Sequence, residues 1–329
     1  MKSVNSSIIS VCIPAYNAES TIVRAIKSVI SQTMPPLEII VYNDGSTDGT
    51  IEVIIESGLP IKLINNNINY GVSHARNALI HSASGHLIAF LDADDIWHCQ
   101  YLEIQFKQYF KYPEAIGYIT GFSTMLEGVA CKCMDQIYDF ETLQIDYYNS
   151  MDFIENYFNN PFKSLLSFTI FKTSILKDIY IPEMLQGAED TFLFYNVASA
   201  GSFTRVSTFI GGIYNLSPSS LSQDSFKMDF NKVLVLKHIY KIYKKYPQEN
   251  LSFIVLKHYK SAQRSLAKYY MGKDDVDCAR KVLLKSIISS FSIKTFVLLI
   301  LIHLPKLVHP TYPSPHRNIS KIINNKIVI

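Results

Sequence analysis

The chain has 329 residues, 48% of them hydrophobic, enough for one large domain or two ordinary ones with a sizeable core. Five cysteines, an odd number with no paired framework, point to a reducing compartment, and Cys131-x-Cys133 lacks the second pair a zinc site needs. The net charge of +3 hides an acidic body and a basic tail: residues 1–225 carry 12 Lys and Arg against 23 Asp and Glu, whereas residues 226–329 carry 19 against 5, a net +14 with no nucleic-acid motif beside it.

Ile8 to Ile13 is too short for a secretory signal and runs straight into Pro14-Ala15-Tyr16, so it reads as a buried strand. Asn17 follows as a good N-cap, with Glu19 in the first turn of a helix whose Ile22, Ala25, Ile26, Val29 and Ile30 recur at helical spacing. Pro35-Pro36 ends that unit. Leu37 to Tyr42 reads as a second strand, Asn43-Asp44-Gly45-Ser46 as a turn, and a helix runs on from about Asp48. Ile61 to Ile64 is a third strand, followed by a loop and a helix through Ala75, Leu79 and Ile80.

Leu87 to Leu91 is a fourth apolar run, and Asp92, Asp94 and Asp95 follow where it leaves the sheet. Three carboxylates in four residues repel one another, and a hard divalent cation relieves that repulsion. The plainer reading is a solvated turn, or Asp95 capping a helix that starts near Trp97. Strand and helix alternate four times, which implies a parallel sheet with helices on both faces and ligands at the carboxyl ends of its strands. Tyr16-Asn17, Asp44 and Asp92 to Asp95 all fall at such ends.

Residues 111 to about 160 are less regular. A strand is expected near Ile116 to Gly121, and Met125 to Asn160 reads as loop and short helix. Ser164 to Phe171, Phe203 to Val206 and Phe209 to Tyr214 read as strands, with a helix over Thr191 to Ala200. Glu189-Asp190 at that helix start suits its macrodipole. From Phe226 the chain is basic and helical, through about Tyr246, then Leu251 to Tyr270, then Val276 to Ser289; the run Lys237, Lys241, Lys244 and Lys245 is most simply a solvated face. Phe291 to Leu304 is apolar on every side, but at 1.5 Å per residue it reaches only about 20 Å, short of a bilayer core of roughly 30 Å. It is expected either to pack on the body or to lie in a membrane interface.

Taken together, these residues resemble the inverting glycosyltransferases of family 2, which have the GT-A fold. Ile9-Ser10-Val11-Cys12-Ile13-Pro14-Ala15-Tyr16-Asn17 is similar to the family's opening strand and loop, Val41 to Thr50 to its second motif, and Asn69 to Asn77 to its third. Asp92-Ala93-Asp94-Asp95 resembles its metal motif and Gly187-Ala188-Glu189-Asp190 its catalytic-base motif. The match covers roughly residues 8–215, in order.

The resemblance implies an α/β fold of GT-A type, Rossmann-like, with a mostly parallel sheet over residues 1–225 and a helical region over 226–329. Pro14, Tyr16, Asn17 and Glu19 would line the nucleotide pocket, Asp44 would bind the uracil edge, and Arg76 would lie near the base or diphosphate. Asp92 and Ala93 would face the ribose and metal region, Asp94 would ligate Mn²⁺ or Mg²⁺, and Asp190 would be the general base with Glu189 beside it. Members often carry Tyr-x-x-His after the base motif; Tyr214-Asn215-Leu216-Ser217 puts Ser217 there instead, so water or another residue would complete the metal shell.

The chemistry agrees. Sugar transfer needs the leaving diphosphate neutralised and the acceptor hydroxyl deprotonated, and a metal at Asp94 with a base at Asp190 supplies both. One base and no second nucleophile imply inversion. The expected donor is a UDP-sugar, and the expected acceptor a glycan or polyprenyl-diphosphate-linked saccharide in bacterial surface-polysaccharide synthesis. The expected location is the cytoplasmic face of the membrane, held by its anionic surface. A dehydrogenase is disfavoured because Pro14-Ala15-Tyr16-Asn17 has no glycine, and a nucleotidyltransferase because the first loop lacks Gly and Arg or Lys. A non-catalytic relic is disfavoured because the metal and base motifs are both intact.

Overall fold

The computed structural model describes residues 8–126, 134–159, 165–185, 187–216, 225–245, 249–273, 275–289 and 293–303. The first four strands are β1 (Ile9–Ala15), β2 (Glu38–Asp44), β3 (Lys62–Asn66) and β4 (Leu87–Phe90), paired in parallel in the order β3-β2-β1-β4. Side chains of β1 alternate between two covered faces. Ile9, Val11, Ile13 and Ala15 join Ile22, Ala25, Ile26 and Val29 of α1 (Ile22–Ile30) and Tyr101, Leu102 and Ile104 of α4 (Tyr101–Lys111) in one core. Full burial of each such Ile or Val is worth about 1.5–3 kcal/mol, so α1 is held by its inward stripe more than by propensity. On the other face the Cys12 thiol meets the Leu79 carbonyl of α3 (Val72–Ser82) at 3.9 Å. The helix after β2 is α2 (Thr50–Glu56).

The rest of the sheet is mixed. β8 (Thr169–Lys172) runs antiparallel beside β4, β6 (Gly117–Leu126) antiparallel beside β8, and β9 (Phe203–Leu216) parallel beside β6. β5 (Ile96–Trp97) and β7 (Ile145–Tyr148) pair antiparallel with β9. The two strands expected over 203–206 and 209–214 are one bent strand. Its register with β6 jumps from Thr120↔Val206 to Gly121↔Ile210, so the residues between bulge out while β6 keeps both halves in line. Gly212 lets β5 close on the bend: a Cβ there would lie 2.2 Å from the Ile96 carbonyl oxygen.

The strand expected from Ser164 begins only at Thr169. Residues 166–168 form a 3-10 turn, and Ser167 spends its polar atoms on Asp92 and Trp97 rather than on a ladder; Ser164 lies outside the described residues. Within the irregular stretch 125–160, β7 and α5 (Ser150–Asn159) form, and Gln100 pins the approach to β7 by exchanging two hydrogen bonds with the Tyr138 backbone. Between β8 and the last strand lie α6 (Thr173–Lys177) and α7 (Glu189–Ala200).

The chain divides into two compact units, residues 1–223 and 224–329. The second is helical: α8 (Ser225–Lys245), α9 (Glu249–Gly272), α10 (Val276–Ser289) and α11 (Ile293–His303). Ala267, Met271, Ala279, Leu283 and Leu298 form a shared core, so α11 has a face packed on α9 and α10. Among the described residues no helix is long and apolar enough to cross a membrane.

Candidate active site

The loops after β1 and β2 are stitched together by side chains. The Asn17 N–H donates to Ser46 Oγ at 2.9 Å, and Asn17 Oδ1 accepts from the Thr47 N–H at 2.8 Å. Asn17 therefore does not cap α1, as its residue type suggests; Thr21 stands at that position, and Asn17 takes a left-handed φ of 48° that an Asn tolerates. Glu19 is used likewise, its Oε2 accepting from the Gly49 N–H at 3.1 Å. Pro14 is half-buried at the end of β1, and the Tyr16 ring is left 48% exposed beyond it.

Asp44 closes β2 and is buried. Its Oδ1 accepts from the Tyr70 N–H at 3.0 Å and its Oδ2 from the Gly71 N–H at 2.7 Å, which ties the second motif to the start of α3. The turn after it requires glycine: Gly45 has φ of 69°, and a Cβ would lie 2.5 Å from the Ile68 backbone carbon.

The acidic loop follows β4. The Asp92 N–H donates to Ser167 Oγ, and its Oδ1 accepts from Arg76 Nη2 at 2.8 Å. Ala93 is buried, which leaves its small side chain in the core. Burial pushes the Asp94 carboxyl up to about 6, and the Asp92 charge adds to the rise. The Asp94 carbonyl accepts from Asn215 Nδ2 and, at 3.3 Å, from Arg24 Nη2. Asp95 is fully buried, and burial, then Asp92 and Asp94, hold its carboxyl well above the usual range. Asp95 is no helix cap, because α4 begins only at Tyr101; its Oδ1 accepts from the Asn215 N–H at 3.1 Å and clasps β9 to the loop.

Among the described residues no three His, Cys, Asp or Glu side chains converge as a metal cage. The crowding of Asp92, Asp94 and Asp95 still suits a divalent cation of the Mg²⁺ kind, which takes one or two carboxylates and completes its shell with waters and substrate phosphates. Ser217 lies outside the described residues.

The base motif opens α7. Glu189 is buried, with Oε1 accepting from Arg76 Nη1 at 2.6 Å and Oε2 from the Gly187 N–H at 2.6 Å. Asp190 is half-buried, and its Oδ1 accepts from the Thr191 N–H. Burial pushes Asp190 up to about 6, with Glu189 adding to the rise and Thr191 and Arg76 opposing it. Arg76 thus joins the two motifs. Burial pulls its pKa down, but Asp92 and Glu189 outweigh that and raise it above its ordinary value.

The rest of α3 holds the segment before α7. Asn77 exchanges two hydrogen bonds with the Ile181 backbone, Ser73 Oγ donates to the Leu185 carbonyl, and His74 Nδ1 lies 3.0 Å from Glu183 Oε1. Ser73, Asn77, Ser167 and Asn215 are the positioning groups that sequence reasoning missed. The first two lie inside the third motif, but a single sequence carries no sign of partners about a hundred residues away.

The family model for glycosyl transferase family 2 matches residues 10–173. The glucosyltransferase WfgD of Escherichia coli, named as UDP-Glc:alpha-D-GlcNAc-diphosphoundecaprenol beta-1,3-glucosyltransferase, is 31% identical over 222 residues, 67% of this chain and 81% of that protein. The chain belongs to glycosyl transferase family 2. WfaP of Escherichia coli, named for the same reaction, is 29% identical over 250 residues, 70% of this chain and 86% of that one. Among solved structures, the mannosyltransferase PcManGT of Pyrobaculum calidifontis, in complex with GDP-Man and Mn²⁺, aligns with a TM-score of 0.58 at 16% identity, covering 97% of this chain and 84% of that one. The fold of this family 2 glycosyltransferase is accordingly GT-A: a mostly parallel sheet between helices, followed by a helical region.

Proposed function

We propose that this glycosyltransferase moves a hexose from a UDP-sugar to a hydroxyl of a saccharide carried on a polyprenyl diphosphate, inverting the anomeric centre. The observation that carries the reading is the Arg76 bridge: one buried guanidinium holds Asp92 of the acidic loop and Glu189 of the base motif, so the two motifs share one centre. The names of the two Escherichia coli relatives support the choice of donor and acceptor.

In this reading Pro14 and Tyr16 border the nucleoside, and Asn17 and Glu19 hold their loop against the second motif. Asp44 fixes the Tyr70–Gly71 backbone and offers its remaining lone pairs to the base edge. Asp92 and the Ala93 backbone face the ribose and diphosphate, and Asp94 holds Mn²⁺ or Mg²⁺. A bound divalent ion would offset the charge that develops on the leaving diphosphate. Asp190 takes the acceptor proton, since both Glu189 oxygens are already engaged by Arg76 and Gly187. No second side chain is needed as a nucleophile, so displacement is direct.

The test is a donor panel: purified protein with each common UDP- and GDP-sugar, Mn²⁺, and a synthetic GlcNAc-diphosphate-polyprenol. The expected result is nucleotide release from a UDP-sugar only when acceptor is present. Release that is indifferent to acceptor, or none with any donor, would contradict the reading.

Such an acceptor lies in a membrane, and the reading therefore includes peripheral attachment at its inner, anionic face. The charge of +14 over residues 226–329 supports it, since each Lys or Arg near such a surface contributes about 1 kcal/mol. The intact chain is expected to sediment with phosphatidylglycerol vesicles at low salt, to be released as salt rises, and to ignore phosphatidylcholine vesicles. If it stays in the supernatant with anionic vesicles at low salt, the attachment is wrong.

A further inference from the structure

Arg76 sits in the third motif, where an arginine near a diphosphate invites the role of donor ligand. Its surroundings argue otherwise. The side chain is 5% exposed, and its two terminal nitrogens point at two different carboxylates, Nη1 at Glu189 and Nη2 at Asp92. Its Nε is buried with no hydrogen-bond partner, and the second N–H on each terminal nitrogen belongs to a side chain that presents almost no surface to a cleft. A fork spanning two carboxylates is geometry that guanidinium offers and ammonium does not.

What the fork joins is informative. Asp92 lies two residues beyond β4, anchored by Ser167, and Glu189 is the first residue of α7, anchored by the Gly187 N–H. Asp190 is the next residue on α7. Any movement of the α7 start relative to β4 therefore moves Asp190 relative to the acidic loop. The neighbouring bonds from Ser73 and Asn77 hold only the segment up to Leu185, and Gly187 follows with a φ of 96°. Among the described residues beyond Leu185, Arg76 carries the hydrogen-bonded link from α3 into α7.

We propose that Arg76 is a positioning residue for transfer, a brace that clamps the start of α7 and with it Asp190 against the end of β4, and that it is not a ligand of the donor. The proposal rests on Asp190 being the base. A displacement of about 1 Å at a reacting group costs on the order of 10²-fold in rate. Loss of the brace should therefore appear in kcat while leaving nucleotide affinity nearly intact.

The test is Arg76→Lys, which keeps the charge and loses the fork, compared with Glu189→Gln and the double variant. Each is measured for UDP binding in Mn²⁺ by calorimetry and for transfer at saturating donor. The expected result for Arg76→Lys is a fall in kcat of about 10²-fold with the Kd for UDP within about threefold of wild type. Glu189→Gln should lower kcat as well, and the double variant should be no slower than Arg76→Lys, because both changes cut one connection. A tenfold or larger loss of UDP affinity with kcat retained at saturation would overturn the brace in favour of a donor ligand, as would multiplicative effects in the double variant. If Arg76→Lys does not fold, Glu189→Gln decides by the same split between kcat and Kd. Absence of transfer by the wild-type protein would instead count against the function itself.

Discussion

Asp190→Asn is expected to lower kcat by ~10²–10⁴, the range of a positioned proton acceptor, with the Kd for UDP unchanged. The substitution keeps the size of the side chain and its ability to accept from the Thr191 N–H, so α7 should start as before. What it removes is the carboxylate. Burial and the Glu189 charge put Asp190 at about 6, so a base at this position would work above that pH and be silenced as the pH falls through it. The wild-type pH–rate profile should therefore carry an acid limb near pH 6. Near-normal turnover by Asp190→Asn would move the proton to another group, and Glu189 is a poor candidate while Arg76 and Gly187 hold its oxygens.

Asp94→Asn is expected to abolish transfer, and a chelator to do the same reversibly to the wild type. UDP binding should weaken without vanishing, because Asn17 and Glu19 hold the loops after β1 and β2 together, and Asp44 holds the start of α3, independently of the acidic loop. The substitution should not cost stability. Burial and Asp92 raise the Asp94 carboxyl to about 6, so its ionisation opposes folding above that pH. Removing the charge should leave the metal-free Tm at pH 7 equal to or above that of wild type. A lower Tm, or full activity in chelator, would contradict this assignment.

The first half of the fold was legible because its strands are local. Ile9 to Ile13, Leu37 to Tyr42 and Leu87 to Leu91 are apolar runs separated by turns and helices, and a parallel sheet follows from that alternation alone. In the second half the elements were legible but their pairing was not. β8, β6 and β9 pair across long separations, and the bulge after Val206 made one strand read as two. Asn17 shows a different limit. Asn serves equally as a cap and as a left-handed turn residue, and only the Ser46–Thr47 loop opposite decides between them. At the site, the residue types and their places at strand ends were readable, whereas their partners were not. Glu189 and Asp190 are adjacent carboxylates that only the family resemblance ranked; the Arg76 fork, 113 residues away from Glu189, supplies a physical reason to separate them. Asp95 likewise reads as a cap until Asn215 is seen to hold it.

The measurement that tests the account most directly is the anomeric configuration of the new bond, read by proton NMR on the disaccharide formed from an α-linked UDP-sugar. Direct displacement with Asp190 as the only proton acceptor predicts a β-linked product. An α-linked product would contradict it, because retention demands either a second nucleophile or attack from the leaving-group face, and the roles assigned to Asp190, Glu189 and Arg76 would then fail together.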